Sequence, residues 1–312
     1  MATPEAPAAS APAERRHGLW IFAIWLPLAV IADLLIWIVW RPHMPPGTMS
    51  TSAQHQQFDI AVMAVVGAPV LLFVWTYAAY ALVSWHHREG DEEDGPPMHG
   101  NARIQATWIG ATAVIVLGLF VFGTVELIVP AGAGAGEGPA PIWTPNVSHM
   151  LEVQVIGQQW AFTYRYPQFG GMETTQLMLP VNRPVQFNVT SLDVIHSFWA
   201  YQLGVKADAN PGVNNVAYTT PTHTGTVTVR CAELCGLWHG AMANFGQVMT
   251  DSAFQAWATA TETKLTAITA MLPAYSTVYD PTVVPQINKA MVKAGIAGAN
   301  GYYYPPQDPA QP

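Results

Sequence analysis

Apolar residues are gathered into three long runs, Leu19–Trp40, Phe58–Trp85 and Ile104–Val129. Each exceeds the ~20 residues that cross a hydrocarbon core of about 30 Å, so the pattern predicts three transmembrane helices within 19–129. The first run has no small-residue cleavage site and ends in the bulky stretch VWRPHMPP, so it reads as a retained helix and not a cleaved leader. Ahead of it, residues 1–18 are Ala/Pro-rich and polar and are expected to be disordered. The stretch PAGAGAGEGPAP (130–141) marks a linker, and beyond it the texture changes. Segments 149–167, 184–191 and 225–231 alternate polar with β-branched or aromatic residues, which predicts short strands and a small β-sandwich or barrel over 142–252. Residues 253–272 turn weakly helical, and a Pro-rich tail runs to Pro312.

The charge pattern orients this arrangement. Arg15 and Arg16 precede the first run, while His86, His87, Arg88 and Arg103 flank the loop between the second and third. The positive-inside rule puts both regions in the cytoplasm, and the acidic run 89–94 does not change that. Three crossings then leave everything after Val129 outside. Asp33 lies inside the first run, where a carboxylate costs roughly 2.5–3.5 kcal/mol. It is expected to face a neighbouring helix and hydrogen-bond to it.

Composition agrees with a membrane protein: 51% of residues are hydrophobic and 10% charged, against about 25% charged in soluble domains. The net charge of −8 excludes a nucleic-acid partner. Both cysteines of the chain fall in CAELCGLWHGAM (231–242), too few for a disulfide scaffold.

That loop admits three chemistries. A Cys231–Cys235 disulfide would close a tiny loop, add little stability, and leave His239 and Met242 unexplained. A structural zinc site has little use for a thioether. Copper accepts thiolate, imidazole and thioether together, and two thiolates on one loop can each bridge two copper ions. A further imidazole must come from another strand. His196, at the end of the apolar stretch SLDVIHSFW, stands where a cupredoxin-like sandwich would supply it.

The spacing Cys231-x-Glu233-x-Cys235-Gly236-x-x-His239-x-x-Met242, preceded by Asp193-x-x-His196-Ser197, resembles the binuclear copper A motif of subunit II of haem-copper cytochrome c oxidases. LGVKADANPGVNN (203–215), GQQWAFTYRYP (157–167) and Phe58–Arg103 are similar to further family segments, so the resemblance spans roughly residues 55–255. It implies a membrane anchor carrying a cupredoxin-like domain. It further implies that Cys231 and Cys235 bridge two copper ions, with His196 and His239 one on each, Met242 a weak ligand, and Glu233 a ligand through its backbone carbonyl. The Glu233 carboxylate would help hold a Mg or Mn ion shared with subunit I. Trp160 would be the point where electrons arrive from cytochrome c or another periplasmic or membrane-tethered donor. The implied activity is oxygen reduction coupled to proton pumping, with the oxygen chemistry in subunit I.

Two positions depart from the family pattern. Gln105 stands in Gly100-Asn101-Ala102-Arg103-Ile104-Gln105 where the family has a glutamate at the mouth of a proton channel. Arg165 stands where mitochondrial-type relatives place an acid, and with six acids against four basic residues between Ile142 and Asp251 the docking face is nearly balanced. No CxxCH occurs, so no c-type haem is attached. His43, His55, His149 and His223 have no ligand partner at metal spacing. Two other readings compete: a membrane-anchored copper carrier or assembly protein, which would not need the Glu, the Met and the aromatic strand, and a quinol oxidase subunit II, whose relatives lack the copper ligands.

Overall fold

The computed structural model describes residues 16–85, 100–128, 148–272 and 275. The expectations for residues 1–15, for His86, His87, Arg88 and the acidic run 89–94, for the 130–141 linker and for the tail beyond 275 lie outside these described residues. The chain divides into two compact units, Met1–Pro42 with Ile60–His99, and His43–Asp59 with Gly100–Pro312.

In the first unit, α1 (His17–Leu35) ends in a π-helical turn, Ile36–Trp40, and lies antiparallel to α2 (Thr51–Ser84). The Trp25 indole N–H donates to the Pro69 carbonyl at 2.8 Å, and the His17 ring meets the Tyr80 hydroxyl at 2.9 Å. Both helices leave large apolar side chains uncovered on most of their circumference, as elements solvated by lipid do. With α3 (Ala102–Ile128) they make three helices long and apolar enough to cross a membrane. The Arg41 guanidinium sits 4.5 Å over the Trp37 ring at the end of α1. Asp33 is partly buried, but its Oδ1 has no hydrogen-bond partner, so this oxygen does not make the interhelical bond expected of it.

In the second unit, the start of α2 is built onto the β-domain. The helix begins at Thr51, ahead of the apolar run, because its first turn is capped and docked. Ser50 Oγ accepts the Ala53 N–H at 3.0 Å, as an N-cap does, and donates to the Leu203 carbonyl at 2.6 Å. Gln56 Nε2 reaches the Gly204 carbonyl at 2.6 Å. Gly204 has φ +61°, and a Cβ there would lie 2.8 Å from Ala53 Cα, so only glycine permits this approach. Asn101 caps α3, its Oδ1 accepting the N–H groups of Arg103 and Ile104, with Gln105 exposed one turn in. At the other end of α3, Glu126 Oε2 lies 3.4 Å from His55 Nδ1, a partner that spacing alone did not indicate for His55.

The β-domain is a sandwich of two five-stranded sheets. The first sheet runs β3-β2-β1-β5-β8, from Met172–Thr174, Ala161–Tyr166, Leu151–Gln158, Val185–Ser191 and Asn215–Thr219. The second runs β4-β10-β9-β6-β7, from Leu177–Pro180, Ala243–Met249, Gly225–Cys231, His196–Ala200 and Val205–Ala209. Alternate residues of each strand face inward: Leu151, Val153, Val155, Phe162, Tyr164 and Tyr166 meet Phe198, Ala200, Val227, Val229 and Val248 in one buried core. Helix α4 (Asp251–Thr269) closes one side, burying Phe254 and Ala258 beside Tyr166.

Candidate metal centre

Strand pairing gathers the donor atoms. Strand β6 begins at His196 and its antiparallel neighbour β9 ends at Cys231, with Phe198 opposite Cys231. His196 and Cys231 therefore point to the same inner face at one end of the sandwich. Strand β10 leaves the loop at Ala243 and pairs with Arg230, while the Cys231 N–H donates to the Met242 carbonyl at 3.0 Å. The loop is thus closed at its base, and a short 3-10 turn, His239–Ala241, folds it back.

Within this loop Cys231 Sγ lies 3.7 Å from Cys235 Sγ, too far for a disulfide, and both cysteines are free. Cys231 Sγ is 3.8 Å from His196 Nδ1, Cys235 Sγ is 3.6 Å from His239 Nδ1, and Cys235 Sγ is 3.7 Å from Met242 Sδ. The Glu233 carbonyl stands 3.1 Å from Cys231 Sγ, while Glu233 itself is exposed. All six residues singled out in the sequence as ligands thus converge. His196, Cys231, Cys235 and Met242 are buried, and the sulfurs belong to the sandwich core.

Electrostatics prepare the donors. His196 Nε2 bonds Asp193 Oδ1 at 2.8 Å, which fixes the ring and turns Nδ1 toward the sulfurs. Burial acts to lower the imidazole pKa, but the hydrogen bonds to Asp193 and Cys231 outweigh it and lift it to about 9. Burial likewise opposes ionisation of Cys231, yet the bond to His196 and the backbone around it hold this thiol below its ordinary range. Cys235 is pushed up by burial and by the Cys231 sulfur beside it. Gly157 makes room for the ring: a Cβ there would stand 3.1 Å from His196 Cδ2.

Trp160 is half-buried against the core, and its indole N–H donates to the Cys235 carbonyl at 3.2 Å. Gln159, which sequence reasoning did not single out, places its side-chain N–H on the same carbonyl at 2.7 Å. Its only signal was the polar pair Gln158-Gln159 between a strand and the tryptophan. Arg165 is 6% exposed and its guanidinium pairs with Glu173 at 2.7 Å. Around the loop, Ile195, Leu234, Leu237, Trp238 and Phe245 are exposed, an uncommon concentration of apolar surface outside the membrane helices. His149 and His223 lie in turns and take no part in the cluster.

A β-sandwich on apolar helices, with two thiols, two imidazoles and a thioether gathered at one end, defines the class: an anchored β-domain with a candidate site for a soft metal ion. The family described as "Cytochrome C oxidase subunit II, periplasmic domain" matches residues 172–248. The chain is 30% identical over 278 residues to cytochrome c oxidase subunit 2 of Thermostichus vulcanus, covering 75% of this chain and 84% of that protein. It is 29% identical over 287 residues to the same subunit of Synechocystis sp., covering 81% and 86%. A solved periplasmic domain of subunit II of cytochrome oxidase (CoxB) of Bradyrhizobium japonicum is 30% identical, with TM-score 0.36, over 38% of this chain and 97% of that one. The chain belongs to the cytochrome c oxidase subunit 2 family, and with it to an oxidoreductase complex of the membrane.

Proposed function

We propose that this chain is the electron-accepting subunit of a prokaryotic terminal oxidase. Electrons from an external donor would pass through the outer, cupredoxin-like domain (142–252) to haem in subunit I, where oxygen is reduced to water with proton pumping. The observation that carries this reading is the convergence of His196, Cys231, Cys235, His239 and Met242, with free sulfurs 3.7 Å apart. Such a set fits two copper ions, which Cys231, Cys235, His196, His239, Met242 and the Glu233 carbonyl would hold. When bound, the ion pair supplies a one-electron store that changes shape little on reduction.

The chain's own residues do the rest. The inner face of β6 and the base of the loop hold the donors in a water-poor pocket, and Asp193 keeps the His196 Nδ1 lone pair aimed inward. Trp160 offers a bonded path from the surface to Cys235 through its indole N–H. The exposed Glu233 carboxylate is available for a Mg or Mn ion shared with subunit I. Gln105 cannot ionise, so proton uptake into subunit I would use another acid. The buried Arg165–Glu173 pair removes one base and one acid from the docking face, and the apolar rim around the loop favours a donor with a weakly charged face, a cytochrome c or a similar carrier.

Replacing Trp160 with Phe keeps an aromatic ring and removes the N–H. The reading expects electron uptake from reduced donor to slow several-fold while copper content stays constant. Uptake at the wild-type rate would remove Trp160 from the path.

A further inference from the structure

Three separate segments meet at one residue, Gln159, beside the donor set. The Gln159 backbone N–H donates to Asp193 Oδ2 at 2.7 Å, and the other oxygen of that carboxylate holds His196 Nε2 at 2.8 Å. The Gln159 side-chain N–H donates to the Cys235 carbonyl at 2.7 Å, where the Trp160 indole also donates at 3.2 Å. The turn between β1 and β2 thus grips both halves of the cluster: the histidine that arrives on β6 through Asp193, and the cysteine loop through a carbonyl carrying two N–H donors. A second observation fits the same contact. Gly236, next to Cys235, has φ +113°, and a Cβ there would lie 2.8 Å from Gln159 Nε2. The loop therefore takes a residue without a side chain where the amide must reach in.

We propose that Gln159 is a positioning residue of the metal centre. It fixes the Cys235 peptide, and with it the Cys235 sulfur, relative to His196, and it holds that peptide against the Trp160 indole. Two N–H dipoles aimed at one carbonyl place positive potential beside a sulfur that gains electron density on reduction, so the clamp raises the reduction potential of the centre. A carboxylate in place of the amide keeps the size and reverses the effect, while the backbone bond to Asp193 survives in every Gln159 variant. The proposal rests on the copper reading above, and the experiment separates the two.

Gln159→Ala, Gln159→Glu and Gly236→Ala are each compared with wild type, measuring copper per chain, the copper hyperfine pattern, the reduction potential, and kcat and KM for donor in the assembled oxidase. Copper retained at the wild-type level, an altered hyperfine pattern, a lowered potential (lowest in Gln159→Glu) and a reduced kcat at constant KM support the clamp. Wild-type spectrum and potential in both Gln159 variants overturn it, as does a raised KM with an unchanged spectrum, which would make Gln159 a docking residue. Gln159→Glu preserves shape, so it decides the matter where Gln159→Ala or Gly236→Ala does not fold. A wild-type chain that binds no copper strikes the copper reading and not the clamp.

Discussion

The Tyr166 hydroxyl donates to the Met178 carbonyl at 3.0 Å and accepts the Met178 N–H at 2.8 Å, stitching β2 of one sheet to β4 of the other. Tyr166→Phe leaves both backbone groups without this partner and is expected to cost about 1–3 kcal/mol in denaturant unfolding. Burial keeps the Tyr166 phenol protonated well above its ordinary range, and Tyr164 behaves likewise. With folded-state pKa values raised, their contribution to stability is complete below the unfolded value near 10 and is lost as pH rises beyond it. Stability measured between pH 8 and 11 should therefore fall above about 10, less steeply in Tyr166→Phe. A flat profile in wild type would contradict the burial of these phenols. The candidate donors of the 231–242 loop stood out in the sequence because thiol, imidazole and thioether at short spacing have few other uses, whereas the Glu233 carbonyl entered only through the family resemblance. Asp193, three residues before His196, was visible in the spacing, but the reach of Gln159 to the cysteine loop and the Arg165–Glu173 pair depend on which segments lie side by side, and spacing along the chain does not carry that information.

At the scale of elements, the membrane helices were legible because lipid demands unbroken apolar runs. The beginning of α2 was not, since Ser50, Ser52, Gln54 and Gln56 read as polar loop until the β-domain takes up their hydrogen bonds. Ser50→Ala removes the cap and the bond to Leu203, with an expected loss of about 0.5–2 kcal/mol from the cap alone. Gly204→Ala should destabilise the same junction more, because its methyl meets the α2 backbone and its φ is left-handed. Thermal unfolding of the two variants in detergent orders them, and a Gly204→Ala chain as stable as wild type would contradict the close docking of α2. Strands β1, β2, β5 and β9 were legible from alternation, but β6 and β10 beside the site, and β3, β4, β7 and β8, were not, most of them being too short or too irregular to show a period of two. The convergence of His196 with the loop required the β6–β9 register, which only the folded chain displays.

At the scale of the whole molecule, the chain joins a lipid-facing anchor to a metal domain whose loop is rimmed by Ile195, Leu234, Leu237, Trp238 and Phe245. Apolar docking without strong charge steering predicts that the second-order rate with donor changes little with ionic strength. A steep fall with added salt would show that charges outside this rim govern the encounter. The metal content of the loop tests the two-copper reading most directly. The full-length chain, purified in detergent and loaded with copper, should hold two copper ions per chain and give the EPR spectrum of one unpaired electron shared over both. One copper per chain, with the spectrum of an isolated Cu(II) ion, would contradict it.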